Sequence, residues 1–519
     1  MTLIALLYAL LACLLAVYGA NALFLTTLFF RHRHKASTPP AVAEELLPPV
    51  TVQLPIYNEK YVATRLIDAI CALDYPRERL QLQVLDDSTD ETVELIAHRV
   101  DEWQQRGVCI EHVRRPNRHE YKAGALAYGL KSATGDFIAI FDADFVPNSD
   151  WLRRTVAHFC QDGVEDLAFV QTRWGHLNPE YSPLTRTQRL ALDGHFCIEQ
   201  MARARSGLLL NFNGTAGLWR RACIEQLGSW SGNTLCEDFD LSYRAQLAGW
   251  RLDYDNTIVA PAEIPAQISS YKRQQFRWAK GSIQVARLRS RTVLRAPLSR
   301  LQKVEALLHM TGYMVHPLLV LLLLLTLPLL IWGWPAAFAT HQDMLTWVGL
   351  AGLGAPILFG VAQRTLYGPI WLKHYRWMPL LALLGSGIAL SNTRAVLEGL
   401  FGRLGGEFRR TPKFRLEGRQ GTWRKSDYHL GVEWSALGEL ALSAYAILCC
   451  LVAIYQAQWF ALPFLVLYVL AFGWVGGLSL WQAAIASRRK PPRSRKMRRC
   501  KMAQRQGRIK RPHLNVHEL

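Results

Sequence analysis

The chain has 519 residues, half of them apolar, and a formal net charge of +19, which leaves room for more than one domain. Its ten cysteines show neither a CxxC pair nor metal-ligand spacing, excluding a zinc module or a disulfide scaffold and leaving reduced, unligated thiols. Thirteen Lys and Arg lie between Arg488 and Arg511, so most of the excess charge is local. Beside a membrane helix, that tail reads as an attraction to anionic lipid headgroups rather than to nucleic acid.

In chain order, residues 3–30 carry no charge over more than the roughly 20 residues that span a bilayer core. The basic cluster Arg31–Lys35 follows the run instead of preceding it, so the segment reads as an uncleaved membrane helix rather than a signal peptide. Further spans are expected at about 307–334, 345–362, 436–456 and 460–485, with an ambiguous weaker run at 378–392. Placing Arg31–Lys35, the loop Arg364–Arg376 and the tail from Arg488 in the cytoplasm makes five crossings consistent. The 378–392 run then lies at the interface or re-enters. The expected organisation is an entry helix at 1–30, a cytoplasmic block at 31–303, membrane and interfacial helices at 304–485, and a basic tail at 486–519, in a multi-pass protein of the cell (inner or plasma) membrane.

Within the block, "VTVQLPIY" at 50–57 reads as a strand, with Asn58 as a cap for the helix patterned by Val62, Leu66, Ile70 and Leu73. "LQLQVLDD" alternates as a strand and stops on Asp86 and Asp87. "DETVELIAHRVDEW" is helical again, and "FIAIFDAD" at 137–144 is a strand ending on Asp142 and Asp144. Alternation of this kind predicts a mostly parallel α/β sheet with ligands gathered at the carboxyl ends of its strands.

Each acidic residue has an ordinary reading as a turn or cap residue, but Asp86-Asp87, Asp142-x-Asp144 and Glu237-Asp238 all close apolar runs. Two carboxylates two residues apart suit a hard cation such as Mg²⁺ or Mn²⁺ shared with the oxygens of a diphosphate. Asp238 is the candidate general base for an attacking sugar hydroxyl, or alternatively a helix N-cap with Asp240 in the first turn. In "QQFRWAKG", Gln274, Arg277, Trp278 and Gly281 share one helix face. Arg277 suits a diphosphate, Trp278 the apolar face of a sugar and Gln274 its hydroxyls. The competing reading is an amphipathic helix anchored at lipid headgroups. Lys122 in "YKAGAL" stands at a probable helix start and suits phosphate, or is a solvated lysine. Thr215 in "FNGTAGLWRR" lies in a Gly-rich turn that could approach a sugar, or is an ordinary turn residue.

Taken in order, "VQLPIYNE", "VLDDSTD", "YKAGAL", "FDADF", "FNGTAGLWRR", "CEDFDLSYRA" and "QQFRWAKG" resemble the membrane-integrated family 2 glycosyltransferases over about residues 48–290. The likeness is greatest to the cellulose-synthase-like mannan and glucan synthases, with cellulose synthase and hyaluronan synthase more distant. The resemblance implies a GT-A fold, a nucleotide-sugar donor (UDP-glucose or GDP-mannose), a growing glycan acceptor and inversion by direct displacement. It assigns Asp87, with Asp86, to the nucleobase, Lys122 to the donor, and Asp142 and Asp144 to the metal and diphosphate. It makes Asp238 the base, gives Gln274, Arg277 and Trp278 to the donor diphosphate and the acceptor, and puts Glu237 and Thr215 beside the acceptor. "FRRTPK" at 408–413 resembles a gating loop in which Phe408, Thr411 and Lys413 act. Cys236 stands where the family has threonine, and Arg410 where it has valine. No cyclic-di-GMP-binding domain is apparent. The implied function is a processive inverting β-glycosyltransferase that passes a hexose polymer through the membrane. The alternative is a glycolipid synthase acting on ceramide or diacylglycerol. A transporter with a soluble regulatory domain fits less well, because inverted repeats are not evident.

Overall fold

The computed structural model describes residues 2–35, 38–333, 351–424, 426–428 and 430–487. Seven strands form the sheet at the centre of the block: β1 (Val50–Ile56), β2 (Leu80–Asp86), β3 (Ile110–Val113), β4 (Phe137–Ile140), β5 (Leu167–His176), β6 (Gly217–Arg220) and β7 (Arg251–Ala262). Their order is β3-β2-β1-β4-β6-β5-β7. Every neighbouring pair is parallel except the two made by β6, which runs against both β4 and β5.

Alternation in β1 and β2 does not mark a solvated face. Val52, Leu54, Leu82 and Val84 enter one apolar layer, while Thr51, Gln53, Gln81 and Gln83 are buried on the other side. Those polar groups satisfy one another across the strands: Thr51 Oγ1 donates to Gln81 Oε1 at 2.8 Å and Gln53 Nε2 to Gln83 Oε1 at 3.0 Å. A buried amide is tolerated where it is hydrogen-bonded. The helix after β1 runs Ala63–Cys71 and carries no side-chain cap. Asn58 therefore does not cap it. With φ at 54°, Asn58 accepts the Thr89 N–H at 2.8 Å and ties two strand-end loops together. Strand β4 ends at Ile140, before the acidic pattern begins, so Asp142 and Asp144 lie in the loop beyond it.

Outside the block, Thr2–Lys35, Gly312–Trp332, Ser435–Tyr455 and Trp459–Ala486 are long and apolar enough to cross a membrane, and the pair Met378–Gly387 and Ala389–Phe401, bent by 48°, has the form of a broken fifth span or of a re-entrant segment such as the sequence predicts. The span expected from 307 begins at Gly312, because the helix Arg300–Met310 ends before it. Of the expected span 345–362, residues 345–350 lie outside the described residues. The remainder belongs to a 14-residue helix, Gly354–Tyr367, about 21 Å long by helical rise and too short to cross alone. Its start packs against the entry helix at Gly19 and its far end on the block, where Gln363 Nε2 and Tyr367 OH each donate to Asp193 at 3.0 Å.

The helix Ile268–Arg295 joins block and bundle. Lys272 on it is buried and ion-pairs with buried Glu439 of the helix Ser435–Tyr455 at 2.6 Å, while donating to Ser435 Oγ at 2.7 Å.

Candidate active site

The strand ends of β1, β2 and β4, the first turn of the helix Glu237–Leu247 and one face of the helix Ile268–Arg295 converge on a cleft. Two cavities of about 70 and 100 Å³ share Lys122, Asp142, Asp144, Gln274, Arg277 and Lys413. Asp238 and Trp278 line the first, Asp87 and the 408–413 segment the second. Residues as far apart in sequence as Asp87 and Lys413 thus face one space, so the helix face bearing Gln274, Arg277 and Trp278 closes a pocket instead of lying on lipid.

The two carboxylates after β4 are each held by an ammonium. Lys122 Nζ meets Asp142 Oδ1 and donates to Gly214 O at 2.8 Å. Lys413 Nζ meets Asp144 Oδ2 at 2.6 Å and Glu263 O at 2.8 Å. Burial alone would lower the Lys413 ammonium, but Asp144 and Glu263 more than offset it and hold it above its usual range. Glu263 also fixes the segment, its carboxylate accepting the N–H groups of Phe414 at 2.7 Å and Leu416 at 3.0 Å. Among the described residues no three His, Cys, Asp or Glu side chains cluster as a ready metal cage. A hard cation bound through one or two carboxylates and substrate phosphates needs no such cage, so Asp142 and Asp144 fit one when the lysines turn to a diphosphate.

Asp238 lies in the first turn of its helix and does not cap it; Cys236 holds the cap position. Burial pushes its carboxyl up to about 7, Glu237 adding to the rise and Lys122 opposing it. Gly214, at φ +82°, allows this approach: a Cβ there would lie 2.8 Å from Asp238 Oδ2. Gly281 does the same for Cys236 at the cap of that helix, since its Cβ would lie 2.3 Å from Cys236 Sγ. Gly281→Val is expected to cost about 1–3 kcal/mol of stability and, by displacing Asp238 through Cys236, to slow turnover by up to about 100-fold. Thermal melting and product release measured on one preparation check it.

On the other side of the cleft, Asp87 is gripped by Arg115, with Nε to Oδ1 at 2.8 Å and Nη2 to Oδ2 at 2.6 Å. The Arg118 guanidinium lies 3.3 Å from the centroid of the Tyr57 ring. Asp86 faces away: its buried carboxylate takes the Ser88 N–H at 2.8 Å and meets His112 Nε2 at 2.9 Å. Thr215 lines neither cavity; its hydroxyl accepts the Asp142 N–H at 2.9 Å and so shapes the acidic loop. Glu237 lines the first cavity. Arg277 lies over Phe408, 4.5 Å from its centroid. Its Nε and the Thr411 hydroxyl are buried without a partner, as groups awaiting a ligand would be. Arg410 sits between Glu59, at 3.4 Å, and the Tyr428 ring, 3.9 Å from its centroid, which accounts for a charged residue where the resemblance expects valine. The Glu59 carboxyl is pushed up to about 8 by burial, against the pull of Arg410.

Sequence reasoning missed Glu59, Arg118, Trp174, Asn213 and Gly214. Glu59 and Gly214 stand inside quoted motifs, so their position was a signal, whereas nothing local distinguishes Arg118 from a surface arginine.

Residues 48–281 match the family model described as "Glycosyltransferase like family 2". Probable glucomannan 4-beta-mannosyltransferase 11 of Arabidopsis thaliana is 40% identical over 252 residues, 48% of this chain and 56% of that one. Glucomannan 4-beta-mannosyltransferase 9 of the same plant is 41% identical over 238 residues, 45% of this chain and 44% of that one. A mannosyltransferase from Pyrobaculum calidifontis, solved in complex with GDP-Man and Mn²⁺, aligns at TM-score 0.48 and 20% identity over 70% of this chain and 99% of that one, a likeness too slight to carry an argument. The matched segment, which carries the mostly parallel sheet, is thus similar to the family 2 glycosyltransferases, and within them to the glucomannan mannosyltransferases. The chain spans about half the length of the curated relatives it matches.

Proposed function

We propose that the chain is a membrane-integrated, inverting glycosyltransferase that extends a β-linked hexose polymer, with GDP-mannose as the favoured donor and UDP-glucose as the second choice. The observation that carries it is the convergence of Asp142, Asp144, Asp238, Arg277 and Trp278 on one cleft, which continues into a larger cavity ending at the membrane helix that starts at Gly312. The mannosyltransferase relatives support the choice of sugar.

In this reading the nucleobase enters between Tyr57 and Asp87, and the diphosphate meets Arg277, Lys122 and Lys413. A divalent ion held by Asp142 and Asp144 would supply charge neutralisation for the leaving diphosphate. Trp278 presents a flat apolar face to the acceptor ring. Asp238 accepts the proton of the attacking hydroxyl as the new bond forms on the face opposite the departing nucleotide. The basic clusters flanking the block at 31–303 support a cytoplasmic face for it.

The test is a donor panel on the full chain in lipid nanodiscs: GDP-mannose, UDP-glucose and UDP-N-acetylglucosamine, each with Mg²⁺ or Mn²⁺, reading nucleotide diphosphate release and product length on a gel. Release from GDP-mannose with a ladder of long product is expected. One labelled lipid and no ladder would move the assignment to a glycolipid synthase, and no release from any donor would remove it.

A further inference from the structure

The helix Ile268–Arg295 has a second face. Gln274 and Trp278 turn to the cleft, whereas Lys272, Phe276 and Lys280, at i, i+4 and i+8, form a stripe along a neighbouring cavity of about 650 Å³ that meets the cleft at Leu235 and Arg277. The other walls come from the second arm of the bent pair, Ala389–Phe401, from the start of the span Ser435–Tyr455, and from Glu407 and Arg409. The segment 407–410 alternates between the two spaces: Phe408 and Arg410 line the cleft, Glu407 and Arg409 this cavity. Its residues are thus only partly explained by the donor site.

The cavity is strongly basic. Lys272, Arg273, Arg277, Lys280, Arg394 and Arg409 line it against three carboxylates, Glu398, Glu407 and Glu433. Glu433 meets Arg273 at 3.1 Å and Glu407 meets Arg409 at 2.9 Å, while Lys272 is matched from behind by Glu439. Lys280 and Arg394 are less well provided for: they share Glu398, at 3.1 and 2.9 Å. Positive charge therefore exceeds negative here, and the Arg394 side chain, 75% exposed, carries it to the surface. An ammonium and a guanidinium fork converging on one point suit the oxygens of a phosphodiester.

The position of the cavity selects the source of that phosphate. Trp434 on its wall is 86% exposed and immediately precedes the membrane-crossing helix Ser435–Tyr455. Val432 beside it is exposed too, and Leu390 on the facing wall belongs to the apolar bent pair. Exposed indoles at the ends of spans mark the headgroup layer of a bilayer. A soluble anion gains nothing from such an apolar rim. A phospholipid gains on both counts, its phosphate among the cations and its acyl chains along the span.

We propose that this cavity binds the headgroup of an anionic phospholipid, with the phosphate held by Lys280 and Arg394 and the chains running past Trp434 along Ser435–Tyr455. The site does not depend on which sugar donor the cleft takes. It gives the helix a lipid-facing role on the face turned away from Gln274 and Trp278.

The experiment is photolabelling of the full chain in phosphatidylcholine nanodiscs containing a trace of phosphatidylglycerol with a diazirine in its acyl chain, labelled peptides being located by mass spectrometry. Phosphatidylcholine carrying the same diazirine is the control. Labelling of the peptides bearing Leu390 and Trp434 is expected to exceed the control several-fold and to be competed by unlabelled phosphatidylglycerol. Lys280→Gln combined with Arg394→Gln should lower it about tenfold or more, two cations being lost at a lipid surface. Melting temperature should hold, because Glu398 is a third exposed and stays solvated without them. Glu433→Gln, which frees Arg273, should raise the labelling instead. Equal labelling by the two lipids, or labelling that neither variant changes, would overturn the proposal. Competition by glycerol phosphate as strong as by the lipid would do so as well, since the site would then take a soluble phosphate.

Discussion

Asp238→Asn is expected to bind the donor nucleotide as the wild type does and to lose transfer by about 10²–10⁴-fold, the usual contribution of a positioned general base. The amide is nearly isosteric, so Gly214 and Lys122 keep their places beside it. Because burial and Glu237 raise the carboxyl to about 7, the sign of the pH effect is fixed. Below that value Asp238 carries a proton and cannot accept another; above it the base is free. The acceptor-side kcat/KM should therefore climb with pH through about 7 and level off, and in Asp238→Asn that limb should vanish. Calorimetry with GDP and a pH series of nucleotide release separate the two halves of the prediction. A variant that turns over normally would show that another group takes the proton.

Asp144→Asn is expected to abolish the dependence of donor binding on divalent ions. In the wild type, Asp144 is buried against Lys413, itself held by Glu263, so an incoming cation competes with an ammonium already in place. Adding Mg²⁺ or Mn²⁺ with GDP should release Lys413 toward the diphosphate and tighten binding at least about tenfold, an opposite charge in a poorly solvated site being worth more than in water. The amide offers the cation a weaker ligand, and Lys413 loses its counter-charge, so GDP should bind alike with and without metal. Titrations of GDP into both proteins, with and without the ion, decide it. A variant still tightened by metal would place the cation elsewhere.

Much of this site was legible because its chemistry is local: short motifs at strand ends put Asp87, Asp142, Asp144 and Asp238 within reach of one another once a parallel sheet is assumed. The indole and guanidinium of Trp278 and Arg277 were ambiguous on a helix wheel, and only packing against the strand ends decided between pocket and lipid. Sequence reasoning went astray where a residue's partner is remote. Asp86 looks like a second nucleobase ligand until His112 and Ser88 claim it. Thr215 looks like a sugar contact until its hydroxyl is found shaping the acidic loop. The buried polar residues of β1 and β2 show that alternation reports periodicity and not what covers each face.

The Lys272–Glu439 contact has a consequence for how the molecule can be divided. An ammonium enclosed by protein and separated from its carboxylate costs about 3–5 kcal/mol, a large share of what holds an ordinary domain together. The helix that carries Trp278 is thus tied through a buried ion pair to a helix of the hydrophobic bundle more than 160 residues downstream. The sheet-bearing block and the apolar helix bundle are coupled in one thermodynamic object, and a fragment cut between them would inherit the motifs without the support that holds their helix in place.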